Sequence, residues 1–481
     1  MTDRMTDTTT LLVGPFNRVE GDLEIRLEVA EGRVTAAYAN SPMFRGFESM
    51  LRGKGPMDAL TLTPRICGIC SISQSMAAAL ALADLAGAEM IPNGSRVAQL
   101  LHMVENVSDH LMHFNLFFMP DFARPIYADR PWHGRTVERF TAVHGSALKR
   151  ATEARAQLLH IVGLLGGKWP HTLAIQPGGV TRAPTARDKV RIGADLAAFR
   201  AYLEEVVIGA PLEVLLELTQ IEQLNGWQTG DFGLFLEISD NLMLQTSGVG
   251  EHRYLSFGAY PTPEGRRFVP GILRDGTAGE LEPAGIIEDL SHSWMLGPDA
   301  HPLHGQTLPD EDMREDAYSW CKAPRLRGES FETGALARQA IDGHPLALAL
   351  SKEGSVRARV AGRLLELART QVEMERLLAE IDPREPFMRH VKLPQDGEGV
   401  GLVEAARGAL GHWFRVERGE ITSYQIIAPT TWNFSPRDRS NIPGPVEAAL
   451  VGAPVQPGED TPIAVQHIVR SFDPCMVCTV H

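Results

Sequence analysis

A chain of 481 residues, 44% apolar and 22% charged, can bury a sizeable core, which excludes a disordered or fibrous protein. Its formal net charge of -14 excludes nucleic acid or anionic lipid as the main partner. Five cysteines are too few for a disulfide framework at this length, and four fall in two CxxC pairs, which points to a metal or redox site in a reducing compartment.

The start, MTDRMTDTTTLLVG, is polar over about residues 1–10 and lacks the basic-then-apolar pattern of a secretory signal, so a cytoplasmic location is expected. LEIRLEVAEGRVTAAYA alternates apolar and polar residues on both sides of Glu31-Gly32 and predicts a β-hairpin. Helical spacing follows from about Ser73 to Phe118, broken near Pro92-Asn93-Gly94, and returns over roughly 145–166 and 185–220. Its most apolar stretch, MAAALALADLAGAEM, is interrupted by Asp84 and Glu89 and predicts a buried helix with no membrane span. Between about 225 and 330 glycine and proline are frequent, predicting loops with short strands around LSFGAYP and RRFVPGIL. SVRARVAGRLLELARTQVEMERLLAEI predicts a long amphipathic helix with Val360, Leu364, Leu367, Met374 and Leu378 on one face and a solvated charged face opposite. GHWFRVERGEITSYQIIAP predicts a second hairpin around Arg418-Gly419. With no repeat or linker, the expected fold is mainly α with small β appendages (α+β). It forms a single domain over 1–481, with a hairpin near each end and both ends converging on one buried metal site.

The cysteine pairs lie in TPRICGICSISQ (Cys67, Cys70) and SFDPCMVCTVH (Cys475, Cys478), the second ending the sequence on His481. Each CxxC can place two sulfurs on one metal, and Gly68 lets the backbone fold tightly around it. A structural zinc clasp is one reading, although zinc ribbons bring their pairs from within a few tens of residues and these lie about four hundred apart. A thioredoxin-like pair lacks the surrounding strand-turn-helix context.

RICGIC and DPCMVCTVH resemble the paired signatures of the large subunit of nickel-iron hydrogenases. The resemblance runs over nearly the whole chain, since FNRVEGD, FRGFE, HLMHF, GGKWPH, YSWCKAPR, EAARGALGHW and APTTWNFSPRD occur in the family's order. It implies four thiolates holding nickel, Cys67 and Cys475 terminally, with Cys70 and Cys478 bridging to an iron that carries carbon monoxide and cyanide; soft thiolates suit such metals. Dihydrogen is a very weak acid, so its cleavage needs a metal to accept the electron pair and a base to take the proton. The resemblance assigns the base to Cys475 and the start of the proton path to Glu20, which outside its motif reads as a helix cap or surface carboxylate. It assigns Arg407 to a place above the iron, held by Asp121 and Asp473, with Ala406 where proline is usual. It makes His481 a ligand of a magnesium-like ion, directly or through water, beside Glu48 and the backbone carbonyl of Phe434. Most family members carry a short tail beyond this histidine that is removed after metal loading, and here the tail is expected either trimmed or never encoded. His110 and His113 read as satisfied core residues, and Cys321 as a small apolar filler.

Three positions depart from the family. Gln74 stands where histidine is usual, so an amide N–H replaces an imidazole donor to a bridging sulfur. Ile69 and Phe117 are bulky where valine and leucine are common, at positions that line the gas route. Together with the absent tail they resemble the hydrogen-sensing, regulatory branch, whose members turn over slowly, resist oxygen and signal to a histidine kinase. An energy-conserving uptake hydrogenase is the nearest alternative, and a non-catalytic zinc-clasped structural protein is the alternative of another class. Either hydrogenase reading requires a small subunit carrying the iron-sulfur clusters, for which this chain has no spare cysteines.

Overall fold

The computed structural model describes residues 8–262 and 265–481. Strands β1 (Thr9–Val13), β2 (Glu24–Ala30) and β3 (Arg33–Asn40) form an antiparallel sheet in the order β1-β2-β3. The expected hairpin is β2-β3; Glu31 (φ 52°) and Gly32 (φ 71°) both take the left-handed conformation that matches the twist of paired strands. Ile25, Leu27 and Val29 point into the core. The polar tail expected over 1–10 overlaps β1, which begins at Thr9, and its residues 1–7 lie outside the described residues.

The helical body contains α1 (Phe47–Leu51), α2 (Ser71–Leu85), α3 (Pro92–Met112), α4 (Ser146–Gly166) and α5 (Ala186–Tyr202). Proline at the first position of α3 costs nothing, because that N–H has no intrahelical acceptor. Thr185 and Asp188 close a reciprocal capping box on α5. Within the stretch expected to be loops, Gly230–Leu242 forms a 13-residue helix, α6. Its two glycines obscure the period, and Phe232, Phe235 and Ile238 in the core decide it. The short strands Arg253–Ser256, Ala259–Thr262, Gly265–Phe268 and Gly271–Arg274 fall where expected.

Helix α7 (Val356–Glu380) corrects a second expectation. Its charged face is not solvated: α3, α5 and α9 (Ile463–Ser471) pack around it and bury Arg357, Arg359, Arg363 and Glu366. These charges are paired, as buried charges must be: Glu366 with Arg338 at 2.7 Å, Arg359 with Glu332 at 2.7 Å, while Arg363 donates to Ser471 O at 2.7 Å.

The second hairpin, β5 (Gly408–Glu417) and β6 (Glu420–Ile427), gains a third strand, β4 (Gly397–Ala405), that was not expected. Glycine weakens the strand signal, but here it allows β4 to lie directly on α2. A Cβ on Gly401 would stand 2.0 Å from Ala77 O, and one on Gly399 2.3 Å from Ala81 O. After β6 come α8 (Pro429–Asn433), α9 and α10 (Met476–Thr479). Among the described residues no helix is long and apolar enough to cross a membrane.

Candidate metal centre

The two chain ends meet through backbone. Glu20 N donates to Pro474 O (3.4 Å) and Met476 N to Glu20 O (2.7 Å), a parallel bridge that sets Glu20 beside Cys475. Arg45 closes the far side, its N donating to Val480 O (3.1 Å) and its Nη1 to Val477 O (3.1 Å). Cys475 N donates to Thr430 Oγ1 (3.1 Å).

This brings the four cysteines together, all buried. Cys67 Sγ lies 3.5 Å from Cys475 Sγ, Cys70 Sγ 3.2 Å from Cys478 Sγ, and Cys475 Sγ 3.1 Å from Cys478 Sγ. These separations are far beyond a disulfide bond of about 2.05 Å. Hydrogen bonding from Cys475, Cys478 and Cys70 holds the Cys67 thiol well below its usual range, while burial pushes Cys475 well above it. One thiolate is thus stabilised by its neighbours and further ones are opposed, so a cation is what lets all four ionise together. The donor set fits soft metal ions.

Arg407 sits beside these sulfurs, whose charges help hold its guanidinium protonated. Its Nη1 donates to Asp109 Oδ2 (2.6 Å), its Nη2 to Asp473 Oδ1 (3.1 Å) and its Nε to Asp473 O (2.9 Å). Asp121, expected as a holder of Arg407, instead pairs with Arg470 (2.6 Å) and with Arg18. The physical reason is placement: Asp121 follows the π-helical turn His113–Phe118, which carries it past the site toward α9, whereas Asp109 lies within α3 and faces Arg407. Burial pushes Asp109 up to about 8 against the pull of Arg407; for Asp473 burial is outweighed by Arg407 and by His113 and Arg363. The two acids therefore share the arginine unequally.

Glu20 is half-buried; burial and the nearby Cys67 charge raise its carboxyl above the usual range. A second acid escaped sequence reasoning. Glu105 accepts from Ile72 N (2.8 Å), Ser73 N (2.8 Å) and Trp169 Nε1 (3.0 Å), capping the start of α2 directly after Cys70. Burial pushes it up to about 7 against those donors. The only sequence signal was its helical spacing, four before Asp109.

Gln74 is buried one turn after Cys70, but the hydrogen bond the structure gives its side chain goes to a histidine: Gln74 Oε1 lies 2.8 Å from His412 Nε2. His481 Nδ1 lies 2.7 Å from Cys478 O, and its Nε2 3.1 Å from Glu48 Oε1. Glu48 also accepts from Ile426 N (2.8 Å), from Lys322 (3.2 Å) and from Thr307; these charges and donors outweigh burial and hold it at about 2. Phe434 is buried at the end of α8, edge-on to Phe472. Ile69 is half-buried, its N donating to Cys67 Sγ (3.3 Å), and Phe117 is half-buried in the π-helical turn. His110 and His113 are core residues facing Glu366 (3.3 Å) and Arg470 O (2.8 Å). Cys321 is buried apart from the cluster, donating to Lys322 O (3.1 Å), and burial raises its thiol.

Four buried thiols from two distant CxxC pairs, faced by a clamped arginine and reached by a half-buried carboxylate, define a redox metalloenzyme centre in a mainly helical scaffold. Residues 45–131 and 146–481 match the family described as nickel-dependent hydrogenase, and the chain belongs to that family as a large subunit, an oxidoreductase acting on dihydrogen. It is 30% identical to the periplasmic [NiFeSe] hydrogenase large subunit of Desulfomicrobium baculatum, over 98% of this chain and 94% of that one. It is 26% identical to the hydrogenase-2 large chain of Escherichia coli K12, over 98% and 97%. The reduced Ni-Fe-Se hydrogenase of Desulfovibrio vulgaris Hildenborough superposes with a TM-score of 0.86 at 29% identity, covering 99% of this chain and 100% of that one. The zinc-clasp reading is overturned by this membership.

Proposed function

We propose that this chain is the active-site subunit of a hydrogen-sensing hydrogenase, slow in turnover and tolerant of oxygen, that works in the cytoplasm and signals to a histidine kinase. The observation that carries the reading is Gln74: a group that cannot titrate replaces the expected imidazole one turn from Cys70, so this branch of proton exchange is closed. Bulky Ile69 and Phe117, both half-buried, support a narrowed gas route.

The nickel and the iron with its carbon monoxide and cyanide would be held by Cys67, Cys70, Cys475 and Cys478, and when bound they supply an acceptor for the electron pair of dihydrogen. Cys475 takes the proton on its sulfur. Glu20 receives it next: its backbone is bridged to that of Cys475, its carboxyl feels the charge of Cys67, and its raised affinity for protons suits a relay. Arg407 is fixed by three hydrogen bonds, and its remaining N–H groups would be free to donate to bound diatomic ligands and to developing charge. A magnesium-like ion would sit at Glu48 and His481, with the Phe434 carbonyl as a further ligand. The support is geometric: His481 Nδ1 lies 2.7 Å from the Cys478 carbonyl, and its Nε2 faces a carboxylate oxygen of Glu48 at 3.1 Å. A ring nitrogen and a buried carboxylate oxygen meeting in this way are donors that a divalent ion can take together. Electrons would leave through iron-sulfur clusters held by a small subunit, since the one remaining cysteine, Cys321, is buried and alone.

The test is an infrared spectrum of the purified heterodimer under inert gas, hydrogen and then air. Carbon monoxide and cyanide bands that shift under hydrogen and survive air support the sensor. Bands converted by air to inactive forms favour an uptake enzyme, the reading to which the kinship with the uptake hydrogenase large subunit of Rhodobacter capsulatus, 26% identical, points.

A further inference from the structure

Gln74 does not stand alone. His412 from β5 places its Nε2 2.8 Å from Gln74 Oε1 and its Nδ1 2.8 Å from Tyr424 Oη, from β6. All three side chains are buried, and the Tyr424 ring stacks on Phe414 with the centroids 5.5 Å apart. The proton positions follow from what each group can do. A buried phenol left without an acceptor for its proton is costly, and His412 is the partner of Tyr424 among the described residues, so Tyr424 O–H donates to Nδ1. Burial keeps the ring neutral, pushing it down to about 3, so the single ring proton lies on Nε2 and is donated to the amide oxygen of Gln74. The NH2 is then the free end of the amide. Gln74 N donates to Cys70 O (3.1 Å), placing the two residues one helical turn apart, and helical side chains lean toward the preceding turn, here the one that begins at Cys70.

We propose that Tyr424 and His412 are positioning residues that lock the Gln74 amide with its oxygen toward the histidine and its NH2 toward the Cys70 thiolate. The chain's hairpin thereby decides that a donor, and not a carbonyl oxygen, meets the bridging sulfur. Without the tyrosine proton, His412 is free to adopt the other tautomer, Nε2 then accepts from the NH2, and the oxygen turns to the thiolate.

Two measurements test this, and only the second rests on the nickel-iron reading. In the full-length protein labelled with 15N-histidine, the His412 signal, assigned by its loss in His412→Gln, is expected to show a bare Nδ1 and a protonated Nε2. A protonated Nδ1 in the unsubstituted protein overturns the proposal even if neither the Tyr424 nor the Gln74 variant folds. In the loaded heterodimer, Tyr424→Phe is expected to shift or split the carbonyl and cyanide bands when Gln74 is present and to leave them unmoved in a Gln74→Leu background. Equal shifts in both backgrounds, or none in either, overturn it, because a purely structural effect of the ring does not depend on the amide. Absence of all such bands in the loaded, unsubstituted heterodimer would sink the metal reading while leaving the tautomer result standing.

Discussion

Replacing Asp109 by Asn separates the clamp seen here from the one expected from the family motif. Arg407 has three hydrogen bonds, of which the contact to Asp109, at 2.6 Å, is the shortest and fully buried. An amide oxygen can still accept from Nη1, so above about pH 8, where Asp109 is ionised and the assay is run, the substitution removes charge more than contact. Hydrogen bonds to charged groups contribute about 1.5–3 kcal/mol, and keeping a neutral one leaves a loss of about 1–2 kcal/mol. At about 1.4 kcal/mol per factor of ten, the rate of hydrogen–deuterium exchange should fall about 5- to 30-fold. The cyanide bands of the loaded heterodimer should shift as the guanidinium loosens. Asp121→Asn should leave those bands in place, since its partners are Arg470 and Arg18. Breaking that buried arrangement costs about 3–5 kcal/mol. With an unfolding entropy of about 2.1 cal/mol/K per residue over 481 residues, a cooperative melt would shift down by about 3–5 °C. Cyanide bands that move in the Asp121 variant and stay fixed in the Asp109 variant would refute the assignment.

Glu20→Gln should keep the infrared spectrum and lose isotope exchange by a factor of about a hundred or more, with Glu20→Asp intermediate. Valine at Ile69 with leucine at Phe117 should widen the route to the metals by a few methylene volumes, and oxygen inactivation timed in the double variant should accelerate. His481→Ala removes the contacts to Cys478 O and Glu48, and metal analysis after dialysis should show retention weakened about 10- to 100-fold. Glu366 is held at about 2 because Arg338 and His110 outweigh its burial. Its folded value lies below the ordinary carboxylate value, so its contribution is present above about pH 4.5 and is lost as pH falls from there toward 2. That contribution is on the order of 3 kcal/mol. Denaturation midpoints should therefore drop between pH 6 and 3 more steeply in the unsubstituted chain than in Glu366→Gln, and parallel drops would count against the pair.

What was legible in the sequence was periodic or motif-bound. Alternation around Glu31-Gly32 and Arg418-Gly419 gives both hairpins, and the resemblance carried by RICGIC and DPCMVCTVH brings the four cysteines to one site. What was hidden depends on three-dimensional neighbours. Strand β4 is obscured by Gly399 and Gly401, which exist to admit the backbone of α2. The face of α7 carrying Arg359, Arg363 and Glu366 has the composition of a solvated surface, and only helices packing on it reveal buried pairs. Asp109 and Asp121 are equivalent as letters, since which of them meets Arg407 is set by the π-helical turn between them.

The misplaced Asp121 nonetheless serves the site by another path. Cys70 and Cys475 are about four hundred residues apart, and closing so long a loop would cost about 5 kcal/mol by chain entropy if the intervening chain were free. It is not free. Helix α9 ends at Ser471, four residues before Cys475, and Asp121 anchors it through Arg470, as Arg363 does through the Ser471 carbonyl. With α9 fixed, delivering Asp473 and Cys475 requires ordering only a short segment, which then zips onto Glu20 and Arg45 by backbone hydrogen bonds that need no metal. The buried charges around α7 thus hold the helix that places the thiols, and the contacts Cys67–Cys475, Cys70–Cys478 and Cys475–Cys478, at 3.1–3.5 Å, chain the four sulfurs into one cluster.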